Sequence, residues 1–122
     1  MLREIITIII IVFLVFVGNN ITDKYTRFAT DTMINLLEEL KIDNESGKDK
    51  FNEINEKWDE IKNKMAYYIE HDELEKVENN LKAIESAIEM DQEDEGQIYL
   101  NQCKFVLKHI KEKYEFNLQN IF

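Results

Sequence analysis

The chain has no proline, three glycines, one cysteine and two histidines in 122 residues. Each scarcity removes a class of answer. A lone cysteine rules out an internal disulfide framework and any multi-cysteine zinc or iron–sulfur site. The glycines stand far apart at 18, 47 and 96, so no glycine-rich loop exists to cradle a phosphate. Missing proline argues against a β architecture, whose loops normally recruit it. Bases are also short, with 15 Lys and Arg against 25 Asp and Glu. A net charge of −10 leaves no basic footprint for nucleic acid. No H-E-x-x-H run and no nucleophile–base pairing is present, so the expectation is a protein that is not an enzyme and holds no cofactor or metal.

What is present is unevenly spread. Ile5 to Val17 is an uncharged run of 13 residues, whereas everything after Gly18 is polar, with 24 acids and 14 bases. As a helix the run covers roughly 20 Å at 1.5 Å per residue, against a bilayer core of about 30 Å. Including Leu2 and Ile21 closes the gap, with Arg3 and Glu4 reaching toward headgroups. A cleaved secretory signal would need small residues at the exit, and Phe16-Val17-Gly18 puts a bulky ring there. A buried helix would need apolar cover on every side. The expectation is therefore an uncleaved signal-anchor over residues 1–21, contacting lipid through residues 5–17 of a cell membrane. Arg3 precedes the run and Lys24 and Arg27 follow it, a nearly even balance. The short leading tail favours a single-pass arrangement with the bulk of the chain extracytoplasmic.

Periodicity sets the class of the remainder. Phe51, Ile54, Trp58, Ile61, Met65 and Tyr68 alternate in steps of three and four. Leu74, Val77, Leu81, Ile84 and Ile88 repeat the pattern, as do Leu100, Cys103, Leu107, Ile110 and Tyr114. Tyr25, Ala29, Met33, Leu36 and Leu40 form a looser stripe ahead of them. Such spacing gathers each set on one helical face, as in a coiled-coil seam. The spacing predicts an all-α protein: an N-terminal transmembrane helix leading into a small antiparallel bundle over residues 22–122. Its helices are expected near 22–41, 49–70, 73–90 and 92–115, followed by an extended tail from Glu115 to Phe122. Asp72 is expected to open the third helix in a capping box with Glu75, and Asp91 to cap the last.

Few residues suggest chemistry. Asp91 to Gly96 resembles the opening of a calcium loop, but the twelfth position is Gln102 where a bidentate Glu is required. His71 lies between Glu70 and Asp72, and His109 sits on another helix. Cys103 falls on a core stripe, where cysteine acts as a small hydrophobe. Trp58 is expected in the core, with partner anchoring as the alternative. Eleven acids between residues 70 and 95 make an acidic surface, with Glu93, Asp94 and Glu95 its densest part. The apolar ending Asn120-Ile121-Phe122 either packs on the bundle or is donated to a partner.

The leading apolar run, the lone Trp58, the junction His71-Asp72-Glu73-Leu74, and the ending Leu107-Lys108-His109-Ile110 with Asn117 to Phe122 together resemble a known family. It is a small family of clostridia and their low-GC relatives, the domain of unknown function 4363. The resemblance implies a single-span membrane protein with no established activity and no catalytic residue to carry over. Gene neighbourhoods in that family imply a partner subunit among other membrane proteins. The functional expectation is a membrane-anchored helical interaction or accessory module. It would bind another membrane or envelope protein or self-associate, through Trp58, His71, Glu93–Glu95 and Asn120–Phe122. The alternative is an extracytoplasmic ligand-sensing bundle that works through a partner.

Overall fold

A computed structural model describes residues 1–43 and 45–114. Among these the chain forms four helices and no strand: α1 Leu2–Glu39, α2 Ser46–Met65, α3 His71–Glu89 and α4 Glu93–Lys113. α1 packs against α2 and α4, and α3 packs against the same two, so the helices form a ring. Long-range pairs give the direction of each helix. Lys50 at the start of α2 bonds Glu39 at the end of α1 (2.6 Å), while Tyr68 just past α2 bonds Thr26 (2.6 Å). Lys113 at the end of α4 meets Glu73 at the start of α3 (3.3 Å). Neighbours are therefore antiparallel, as short connections require.

α1 has two characters. Leu2 to Phe16 lies exposed along its whole length, and from Asp23 onward the same helix becomes one wall of the bundle. The end of the bundle beside the apolar stretch is called the near end below, and the opposite one the far end. The core takes the expected stripes: Phe51, Ile54, Trp58, Ile61 and Met65 from α2, Leu74 to Ile88 from α3, and Leu100, Cys103, Leu107 and Ile110 from α4. On α1 the buried line is Thr26, Ala29, Thr30, Met33 and Leu37, with Leu36 and Tyr25 at its edge.

Helix ends differ from the expected ones for local reasons. α2 starts three residues early because Asp43 accepts hydrogen bonds from Ser46 Oγ (2.7 Å) and the Gly47 N–H (3.1 Å). It stops at Met65, where tighter three-residue bonds from Tyr67 to Lys64 and from Tyr68 to Met65 turn the chain, with Ile69 buried and Tyr68 directed toward α1. α3 begins at His71, with Glu70 in the capping position, so Asp72 lies inside the first turn and makes no cap. Asp91 closes α3 instead of opening α4. Its φ of 56° is left-handed, the Gln92 N–H returns to the Ala87 carbonyl (2.9 Å), and the Asp91 N–H to that of Ile88 (3.4 Å). That is the bond pattern of a Schellman stop, with Asp in the position usually held by Gly. Gln92 precedes α4 with no side-chain cap. The tail residues 115–122, including the expected extended stretch, lie outside the described residues.

Gly96 closes the far end. A Cβ there would stand 2.7 Å from Ile42 Cγ2 and 3.1 Å from Ala87 Cβ, so its hydrogen admits the loop between α1 and α2 against α4. The sharp-turn role it would have had in a calcium loop disappears, because Glu93 to Glu95 are already helical. Gly18, by contrast, has nothing within 4 Å of such a Cβ. Replacing Gly96 with Ala should therefore cost about 1–3 kcal/mol by overpacking. Gly18→Ala should leave stability unchanged or raise it by about 0.5–1 kcal/mol. Urea unfolding of the full chain in detergent micelles, followed by far-ultraviolet circular dichroism, reads both.

Candidate functional site

The near end is held by polar chemistry. Thr26 Oγ donates to the Thr22 carbonyl (2.7 Å), which leaves the Tyr68 hydroxyl as the donor in its 2.6 Å bond to Thr26. Thr30 donates in turn to the Thr26 carbonyl (2.7 Å). Asp23, buried beside them, pairs with Arg27 one turn on (3.2 Å). Burial raises the Tyr68 phenol above its ordinary value, and burial followed by the neighbouring Tyr68 and Glu60 raises Tyr25. Lys64 lies 5.6 Å from the Tyr25 ring centre.

Glu73 is a second buried charge at this end, 6 % exposed. Its Oε1 meets Lys113 (3.3 Å) and, more distantly, Lys76 (3.9 Å), while its Oε2 is buried with no hydrogen-bond partner among the described residues. Lys113 also reaches Glu70 (3.7 Å), and the Tyr114 hydroxyl accepts the Glu70 N–H (3.1 Å). The hydrogen bond to Glu73, followed by the charge of Glu70, holds Lys113 above the usual lysine value. The Lys-rich end of α4 thus neutralises the acidic start of α3 within one molecule.

Between α2 and α3 runs a cleft of about 230 Å³ over Phe51, Trp58 and Leu81, with Lys62, Glu78 and Glu85 on its rim. Trp58 is 1 % exposed and packs in the core. Among the described residues its indole N–H makes no hydrogen bond of standard geometry, yet it lies near enough to Glu78 to help depress that carboxyl. The larger cause is the direct Lys62–Glu78 bond. A more open hollow of about 520 Å³ lies between α3 and α4, lined by Asn79, Asn80, Asn101, Gln102 and Phe105.

The structure separates the candidate residues named from the sequence. His71 is exposed at the near end, and Glu93, Asp94 and Glu95 are exposed at the far end. α3 spans 19 residues, or roughly 28 Å, between them. The acids of residues 70–95 are consequently two surfaces at opposite ends, not one. His109 is exposed on α4, and no cluster of metal-ligating side chains occurs among the described residues. Cys103 is fully buried, and burial pushes its thiol up to about 12, so it carries no thiolate near neutrality. Asn120, Ile121 and Phe122 lie outside the described residues.

Sequence reasoning missed Thr26, Thr30 and Glu73. Thr26, Thr30, Met33, Leu37 and Leu40 step by four, three, four and three, so the α1 line is readable once threonine counts as a core residue. Glu73 had little local signal, because its nearer partner, Lys113, lies 40 residues away.

The family described as a domain of unknown function (DUF4363) matches residues 16–121, and the chain belongs to it. No curated protein and no solved structure matches the chain. Among the described residues the fold is a helical bundle with one helix long and apolar enough to cross a membrane.

Two outcomes follow from these contacts. Removing Lys113 takes the hydrogen-bonded cation from a buried carboxylate, so Lys113→Met should lower stability, by less than a fully buried pair would because the lysine is solvated. Pairing it with Glu73→Met should recover part of that loss in a double-mutant cycle on the full chain. The pH dependence has a defined sign. Asp43 and Glu78 are held below their ordinary 3.8 and 4.5, so what they add to stability is complete above those values. It is lost as pH falls through the lower folded values. Lys62 and Lys113 are raised above 10.5, so their share persists until pH climbs past that value. Thermal unfolding below pH 4.5 should therefore show a falling midpoint, with a shallower fall in Glu78→Gln.

Proposed function

We propose that this protein is a single-pass, membrane-anchored interaction module whose bundle binds another membrane or envelope protein or a second copy of itself. The observation that carries the reading is the division of α1. An 18-residue window of mean hydropathy 2.5 near the N-terminus has none of its residues buried among the described residues, while the helix from Asp23 on is packed. At about 25 cal/mol per Å² of apolar surface, such a stretch is strongly disfavoured in water and favoured in lipid. The motif order that resembles single-span clostridial proteins supports the same reading. No residue constellation supports catalysis, and we assign none.

Binding is assigned to the outer faces of the bundle. Phe28, Ile98 and Phe105 stand exposed on α1 and α4, and the far end presents Glu93, Asp94 and Glu95 in the first turn of α4. A partner with a basic strip fits that end. Ligand sensing is the second reading, favoured by the carboxamide-lined hollow between α3 and α4. It ranks below interaction because that hollow opens on solvent and not into the core.

The test is made in native membranes. The full-length chain should resist alkaline carbonate extraction and cross-link in stoichiometric amount to one membrane protein or to itself. Deleting residues 2–17 should release it and abolish the cross-link. The combined change Glu93→Gln, Asp94→Asn and Glu95→Gln should weaken association at low salt with helicity unchanged. Carbonate-soluble full-length protein would overturn the anchor, and unchanged association of the triple variant would dismiss the far end as the binding surface.

A further inference from the structure

The bond between Tyr68 and Thr26 fixes where the turn between α2 and α3 stands relative to the apolar stretch. Thr22 to Thr26 begins one residue past Ile21, and the four steps cover roughly 6 Å of helix. The headgroup layer on one side of a bilayer is roughly 5–8 Å thick. If residues 2–21 span the hydrocarbon, the turn at residues 66–70 therefore sits at headgroup height. At that height Tyr67 is 91 % exposed, an aromatic ring with a polar tip that the bundle does not use. Such side chains partition into the membrane–water interface. Lys24 and Lys64 are exposed at the same level.

Charge is arranged to match. Residues 22–30, 60–79 and 104–114, the near half, hold nine bases and eight acids, whereas residues 31–59 and 80–103 hold five bases and 15 acids. Glu70, Asp72 and Glu75 are exposed at the start of α3, but over the near half as a whole the bases offset the acids, and the net surplus of acid falls in the half held farthest from the apolar stretch. Only with the near end facing the lipid does the bundle avoid presenting that surplus to headgroup phosphates.

We infer that the near end of the bundle docks on the lipid headgroup layer of the membrane that holds α1. Tyr67 enters the interface, and Lys24 and Lys64 face the phosphates. The inference rests on the anchor reading given above, and it adds a second, surface contact that fixes the bundle upright. Tyr67→Trp supplies the probe at little structural risk, since the side chain has almost no packing to lose. Trp58, buried in the core, stays as an internal reference. The full-length variant is reconstituted in phosphatidylcholine–phosphatidylglycerol vesicles that carry a nitroxide on the lipid headgroup. The emission added by the new indole should shift to the blue, and the headgroup nitroxide should remove most of it.

A parallel variant, Phe13→Trp, reads the anchor with a nitroxide deep in the acyl chain. Quenching at both positions supports docking. Quenching at 13 with unshifted, unquenched emission at 67 overturns docking while the anchor stands; the near end is then held off the surface or covered by protein. Absence of quenching at 13 overturns the anchor, and the docking falls with it.

Discussion

Everything in this molecule is referred to the unbroken hydrogen-bond ladder of α1. The helix runs 38 residues, roughly 57 Å, and passes without interruption through Gly18-Asn19-Asn20. Glycine in a helix interior costs about 0.5–1 kcal/mol relative to alanine, and asparagine is a weak helix former. The segment would be a natural hinge in isolation. It stays helical because α1 is tied down on its far side. From Asp23 one face of the helix is buried in the bundle, and Tyr68 clamps Thr26 one turn later. A continuous helix transmits both height and rotation, so the apolar stretch and the bundle hold one fixed relation to each other.

The two ends of the bundle are closed by different forces. At the near end the closure is polar: threonine hydroxyls, two tyrosines, and Glu73 between lysines. At the far end it is steric. Ile42 folds over the open helix ends and meets Gly96, while Asp43 satisfies the first amides of α2. Polar closure costs desolvation that apolar packing would not. Its placement beside the apolar stretch suits an interfacial setting, where hydroxyls and ion pairs retain partial hydration. The acid surplus at the far end leaves a negative surface whose field is screened by salt.

Much of the fold was legible because it was written in local spacing. The stripes through Ile54, Trp58 and Ile61, or Leu100, Cys103 and Leu107, depend on nothing beyond helical geometry, and those residues are buried. Helix ends were less legible. Asp43 and Asp91 act through backbone bonds whose direction depends on how the next helix packs. An Asp-x-x-Glu spacing does not say that Glu73 will be drawn inward by Lys113. The candidate surface was least legible of all. Residues 70–95 are adjacent in sequence, and only the length of α3 shows that their two ends point opposite ways. Nor could composition indicate that the charge surplus divides along the bundle axis, since that division follows from antiparallel order.

The central claim is that α1 is one rigid element joining the apolar stretch to the bundle. Hydrogen–deuterium exchange of the full chain in lipid nanodiscs tests it most directly, read at the amides of residues 18–25. A continuous ladder predicts slow exchange through Gly18, Asn19 and Asn20, merging with the protected amides on either side. Fast exchange confined to those three residues, between two protected segments, would reveal a hinge and contradict the account.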